Sequence, residues 1–151
     1  MKKVSIFIVL LMSLAMAGCQ NNGNIGWLFG VWRINSYTVD GVEQTDPLIS
    51  RSTIAFQGEI VEIVAVVDDY QSRITRNGTW HEDGNDFTLN FTHSDDMRPA
   101  GTGVYEAPGW LGMTSDFPMQ MTISDQTSDR FTLTWEDGDG LVKVYELQKT
   151  W

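Results

Sequence analysis

Asp129-Arg130-Phe131-Thr132-Leu133-Thr134-Trp135-Glu136 alternates from Arg130 onward between polar and apolar side chains. Successive side chains of an extended strand point to opposite sides, so this pattern buries one face and wets the other. Phe131, Leu133 and Trp135 are expected inward. Turn-forming residues bracket the stretch, Asp125 to Ser128 before it and Asp137-Gly138-Asp139-Gly140 after it. The same grammar continues outward on both sides. Leu141 to Lys149 follows as a strand. Met119 to Ser124 precedes, with Met119, Met121 and Ile123 on one face. Asp86 to Thr92 sets Phe87, Leu89 and Phe91 against Thr88, Asn90 and Thr92.

Four more strands complete the pattern. Gly30 to Val39 ends at Asp40-Gly41. A looser stretch holding Pro47 leads to Ser52–Gln57, and Glu59 to Val67 follows. Gln71 to Glu82 contains Gly78, where a bulge or bend is expected, and Asp83-Gly84-Asn85 is a hairpin signal. No stretch after residue 18 shows a helical period. The expected fold is all-β: eight antiparallel strands in an up-and-down barrel, an arrangement that leaves no open sheet edge. A two-sheet β-sandwich is the alternative. Eight strands can also enclose one small ligand.

One connection, His93 to Pro118, is long. It carries Pro99, Pro108 and Pro118 together with Val104, Tyr105, Trp110, Leu111 and Met113. Long connections in compact domains are usually functional or disordered, and aromatic content argues against simple disorder. Tyr105, Trp110, Leu111 and Met113 are therefore expected at the rim of a ligand or partner site. Val104 to Trp110 is expected to include a short strand.

Gly30-Val31-Trp32 opens the first strand, directly after Trp27-Leu28-Phe29. It resembles the lipocalin Gly-x-Trp motif, and Val144-Tyr145-Glu146-Leu147-Gln148-Lys149 is similar to the last strand of bacterial lipocalin-like lipoproteins. The resemblance covers the domain 27–151, from Trp27 to about Lys149. It implies that Gly30 permits a tight backbone at the closed end and that Trp32 plugs it. It also implies a cation from the last strand over the indole. Lys143 and Lys149 are the candidates, with Lys143 grouped with Gly30 and Trp32, and arginine is absent from that strand. The resemblance implies a barrel that binds or carries a small apolar ligand.

The chain opens Met1-Lys2-Lys3, runs almost wholly apolar from Val4 to Met12, and places Ala15, Ala17 and Gly18 before Cys19. This order reads as a secretion signal, Met1–Gly18. The apolar run is short of the roughly 20 residues that span a bilayer. Leu14-Ala15-Met16-Ala17-Gly18-Cys19 resembles the bacterial lipobox, with Met16 where leucine is commoner. That resemblance implies a lipid on the Cys19 thiol, cleavage before it, and a further acyl group such as palmitate on the new amine. More than one chain gives stable anchoring. Cys19 is the single cysteine, so the chain has no internal disulfide. Residues 19–26 read as a flexible tether. Gln20 is not acidic, which by resemblance to lipoprotein sorting favours the outer membrane, with the domain in the periplasm.

The formal net charge is −10, from 20 Asp and Glu against 10 Lys and Arg, and Lys2 and Lys3 would leave with the signal. Such a surface repels nucleic acid and anionic headgroups. The six tryptophans suit a core or a ligand site. His81 and His93 are too few to build a zinc site without cysteines. Glu82 to Asp86 and Asp137 to Gly140 lack calcium-loop spacing. Neither a Gly-x-Ser-x-Gly elbow nor a Gly-rich phosphate loop occurs. No enzyme activity, metal or cofactor is expected. The expectation is a protein held to the membrane through Cys19 that binds a small apolar ligand. The alternative is a solid barrel that contacts an envelope protein.

Overall fold

The structure, a computed structural model, describes residues 23–68, 72–92 and 106–150. The expected signal Met1–Gly18, the anchor Cys19, and His93 and Tyr105 lie outside the described residues. A 3-10 turn, Gly23–Leu28, starts inside the stretch expected as tether and leads into β1 (Gly30–Val39). Then come β2 (Val42–Glu43), a one-turn helix α1 (Pro47–Ser50), β3 (Ser52–Gln57), β4 (Ile60–Val66), β5 (Arg73–Asp83) and β6 (Asp86–Asn90). A second 3-10 turn, Gly109–Leu111, precedes β7 (Met119–Ser124), β8 (Arg130–Glu136) and β9 (Val142–Lys149). No strand begins between Glu106 and Trp110.

All pairings are antiparallel, in the order β2-β1-β3-β4-β5-β6-β7-β8-β9, and β1 pairs again with β9. That last pairing closes an eight-stranded barrel and excludes the sandwich. β2 is an added edge on the outer half of β1, in register Thr38↔Glu43. Two residues carry no readable period, which is why the sequence hides it. α1 is similarly short. Asp46 accepts from Leu48 N–H at 2.8 Å, Pro47 occupies the first turn, and Ile49 is buried.

The start of β1 marks the lower end of the barrel and Val39 the upper end. A bulge lies in β1 between Ile34 and Ser36, which turns both Ile34 and Tyr37 inward. No register shift occurs at Gly78, which pairs regularly with Val61. Its missing side chain serves packing instead: a Cβ there would lie 2.6 Å from the Asn90 carbonyl oxygen and 2.7 Å from Phe91 Cδ1. Phe91 therefore lays its ring over the strand.

Phe131, Leu133 and Trp135 all face the core, as do Phe87 and Leu89 and the β7 row Met119, Met121 and Ile123. Each such buried side chain contributes about 1.5–3 kcal/mol relative to exposure. β5 departs from this pattern. Cross-strand register places Ile74, Arg76, Gly78, Trp80 and Glu82 on its inward face. All of these but Gly78 are only half-buried. The cause is strand length. β5 pairs with β6 over Thr79–Asp83, while Arg73–Gly78 runs past the top of β6 with no second strand partner among the described residues.

Candidate functional site

The lower end is closed by chemistry that begins at Gly30. Its φ of 131° is a conformation that side chains with a Cβ rarely adopt, and it lets the chain fold from the 3-10 turn into β1. Trp32 is fully buried and donates its indole N–H to the Leu28 carbonyl at 2.8 Å. Phe131 meets it edge-on at 4.7 Å and Trp27 at 6.1 Å. Trp27 donates in turn to Glu82 Oε1 at 3.1 Å. The cation over Trp32 is Lys149, with Nζ 5.0 Å from the ring and donating to the Trp27 carbonyl.

Lys143 does not belong to this closure. β1 and β9 run antiparallel, with Trp32 opposite Lys149 and Val39 opposite Lys143, so Lys143 sits at the far end. There its ammonium pairs with Asp137 at 2.9 Å, lies 4.5 Å from the Trp135 ring and donates to the Gly112 carbonyl at 2.8 Å. That ammonium holds the Asp137 carboxyl below its ordinary pKa.

The upper end is filled by the segment expected to form a rim. Leu111 is fully buried and Met113 nearly so, both within the core cluster. They plug the mouth rather than line its edge. Tyr145 donates its hydroxyl to the Leu111 carbonyl at 2.8 Å, and burial pushes its phenol pKa well above the ordinary value. Tyr37 stacks flat on Tyr145 at 4.7 Å. Trp110, half-buried, donates its indole N–H to Ser52 Oγ at 2.9 Å, and Ser52 donates to the Leu48 carbonyl of α1. The plug thus rests on β9, β3 and α1 through polar contacts, two of them made by its own backbone carbonyls.

Arg76 stands beside the plug, where β5 outruns β6. Its guanidinium lies 5.8 Å from the Trp110 ring, and Nη2 is 3.6 Å from Glu106 Oε2. Nη1 donates to the Thr75 carbonyl. Nε is buried with no hydrogen-bond partner among the described residues, as is Trp80 Nε1 on the same inward row. Arg76 is absent from the sequence-based site. Strand parity could have found it, because Ile74, Arg76 and Trp80 alternate on one face.

A hollow of about 770 Å³ lies elsewhere, outside the wall over β8, β9 and the β1 bulge. Asn35, Thr127, Asp129, Arg130, Glu146 and Gln148 line it, and this polar lining does not suit an apolar ligand. Among the described residues no group of three His, Cys, Asp or Glu side chains stands close enough to hold a metal ion.

No protein-family model matches the chain, and no curated protein matches it. Solved structures do resemble it. A lipocalin-like protein from Bacteroides uniformis ATCC 8492 superposes with a TM-score of 0.57 at 14% identity, over 82% of this chain and 99% of its own. An uncharacterized protein from Bacteroides eggerthii DSM 20697 gives 0.56 at 12% identity, over 81% of this chain and 98% of its own. Similarity at this level of identity speaks to the fold alone. With the β1–β9 closure and the Trp32 plug, it establishes the fold of this chain as lipocalin-like, a closed eight-stranded antiparallel barrel with one added short strand.

Proposed function

We propose that this chain is a lipid-anchored protein of the cell envelope whose barrel binds a small apolar ligand at its upper end, in the place held by its own plug. One observation carries the reading. Leu111 and Met113 are buried in the same apolar cluster as Tyr37, Tyr145 and Trp135, and they come from a connection and not from a strand. A segment outside the sheet can leave without breaking a strand ladder, and local opening of such segments needs less free energy than global unfolding. A ligand of similar size and polarity can then take its place. The test is titration with the neutral dye N-phenyl-1-naphthylamine, whose fluorescence rises in a dry site. Saturable binding that dodecan-1-ol displaces is expected, and no saturable signal would sink the reading.

The anchor half of the proposal rests on Cys19 and its neighbours. Cys19→Ala should move the protein from the membrane fraction to the soluble fraction while its circular dichroism stays that of a β-barrel. Retention of the variant in membranes after a carbonate wash would overturn the anchor. The outer membrane and the periplasmic face belong to the same proposal, through Gln20.

A second reading is favoured by the packed interior. In it the barrel is solid and presents a surface to an envelope protein. Val42, Phe117, Leu141 and Val142 are exposed apolar residues that belong to upper-end connections and strand ends. The dye titration separates the two readings, since a solid barrel gives no saturable signal.

A further inference from the structure

We infer that the ligand of the upper compartment is an alkyl carboxylate, its head held by Arg76 where Glu106 now stands. The inference rests on the ligand-binding reading above and names the chemistry of that site. Arg76 projects from the inward face of β5, directly opposite the buried Ile63 and between Ile74 and Gly78 on its own row. A guanidinium placed there is unfavourable unless a carboxylate or similar acceptor satisfies it. Its carboxylate partner among the described residues is Glu106, whose side chain is 53% exposed and reaches it at 3.6 Å. Charge-assisted contacts of this kind are about 2.7–2.9 Å when well made. The Glu106 pairing is therefore loose and open to exchange.

The geometry of the guanidinium sharpens this. Nε–H and one Nη2–H form a side-on edge that grips both oxygens of a carboxylate at once. Here Glu106 touches only the Nη2 half of that edge, and the Nε half is buried with no hydrogen-bond partner among the described residues. An incoming carboxylate can fill both. Trp110, over whose ring Arg76 lies, belongs to the plug, so the head site and the plug meet at one side chain. Beside Arg76 on the inner wall is Ile63, and below it are Val61, Phe91 and Met119, all buried, which suit an alkyl chain. A carboxylate in Glu106's place would thus anchor the ligand while its tail replaces Leu111 and Met113.

The experiment compares laurate with dodecan-1-ol, which share an alkyl length and differ in the head. Both displace N-phenyl-1-naphthylamine from the purified full chain, at a pH where laurate is ionised and below the concentration at which it aggregates. Laurate is expected to bind about tenfold more tightly than the alcohol, as one hydrogen-bonded charge pair would give. Arg76→Gln should remove that preference, bringing laurate and the alcohol to equal affinity. Glu106→Gln removes the competing carboxylate from an exposed position, and should strengthen laurate more than the alcohol. It keeps the test decisive should the Arg76 variant fail to fold. Equal binding of both probes, or a preference for laurate over the alcohol unmoved by Glu106→Gln, overturns the inference while leaving the apolar site intact. Failure of the dye itself to bind overturns the ligand-binding reading and the inference with it.

Discussion

Trp32→Ala is expected to destabilise the barrel by about 3–5 kcal/mol, a large share of the 5–15 kcal/mol that holds a typical domain folded. The indole is fully buried at the lower end, so its removal leaves a cavity bounded by Phe131 and Trp27. Both rings are edge-on to it, a geometry worth about 0.5–1.5 kcal/mol per pair beyond area burial. The Leu28 carbonyl also loses the donor it has at 2.8 Å. Lys149→Gln removes the cation over the ring and its hydrogen bond to the Trp27 carbonyl, and should cost about 0.5–2 kcal/mol, since the ammonium is partly solvated. Packing thus outweighs the cation–π contact. Urea unfolding followed by circular dichroism measures both variants. A Trp32→Ala effect no larger than that of Lys149→Gln would remove the plug role from Trp32.

The strands were legible wherever alternation was long and turns were chemically marked. Ser52–Gln57 and Met119–Ser124 fall at their expected bounds, and Arg130–Glu136 lies one residue inside its own. Gly30 and Trp32 were legible because a tight backbone and a large end-plug both leave a residue signature. Register left none. Whether Lys143 or Lys149 faces Trp32 depends on how β9 slides along β1, and that is fixed by closure of the whole barrel. The connection failed for a different reason. Leu111 and Met113 have apolar side chains but no period, so composition marks them as notable without saying whether they point out or in. Arg76 hid because β5 reads as an amphipathic strand, and its unequal length against β6, which half-exposes the inward row, is a property of two strands together.

Leu111 and Leu133 are both fully buried leucines, yet truncating them should have opposite signatures. Leu133 lies in β8, paired in register with Ile123 and Tyr145. Leu133→Ala leaves a cavity inside the ladder and should lower global stability by about 2–5 kcal/mol. Leu111 sits on a 3-10 turn outside the sheet, so in the proposed ligand-binding reading it lifts away while every strand pairing persists. Its truncation weakens the closed plug, and the barrel beneath relaxes by opening the plug instead of unfolding. The shift in the urea midpoint should then be well below that of Leu133→Ala. The apparent affinity for a site open only part of the time scales with the open fraction, so weakening closure by a kilocalorie or two raises dye affinity about tenfold. Leu111→Ala should thus bind N-phenyl-1-naphthylamine more tightly than wild type, and Leu133→Ala should not. Equal losses of global stability in the two variants, with dye binding unchanged, would make the segment around Leu111 part of a solid core. The barrel would then act through its outer surface.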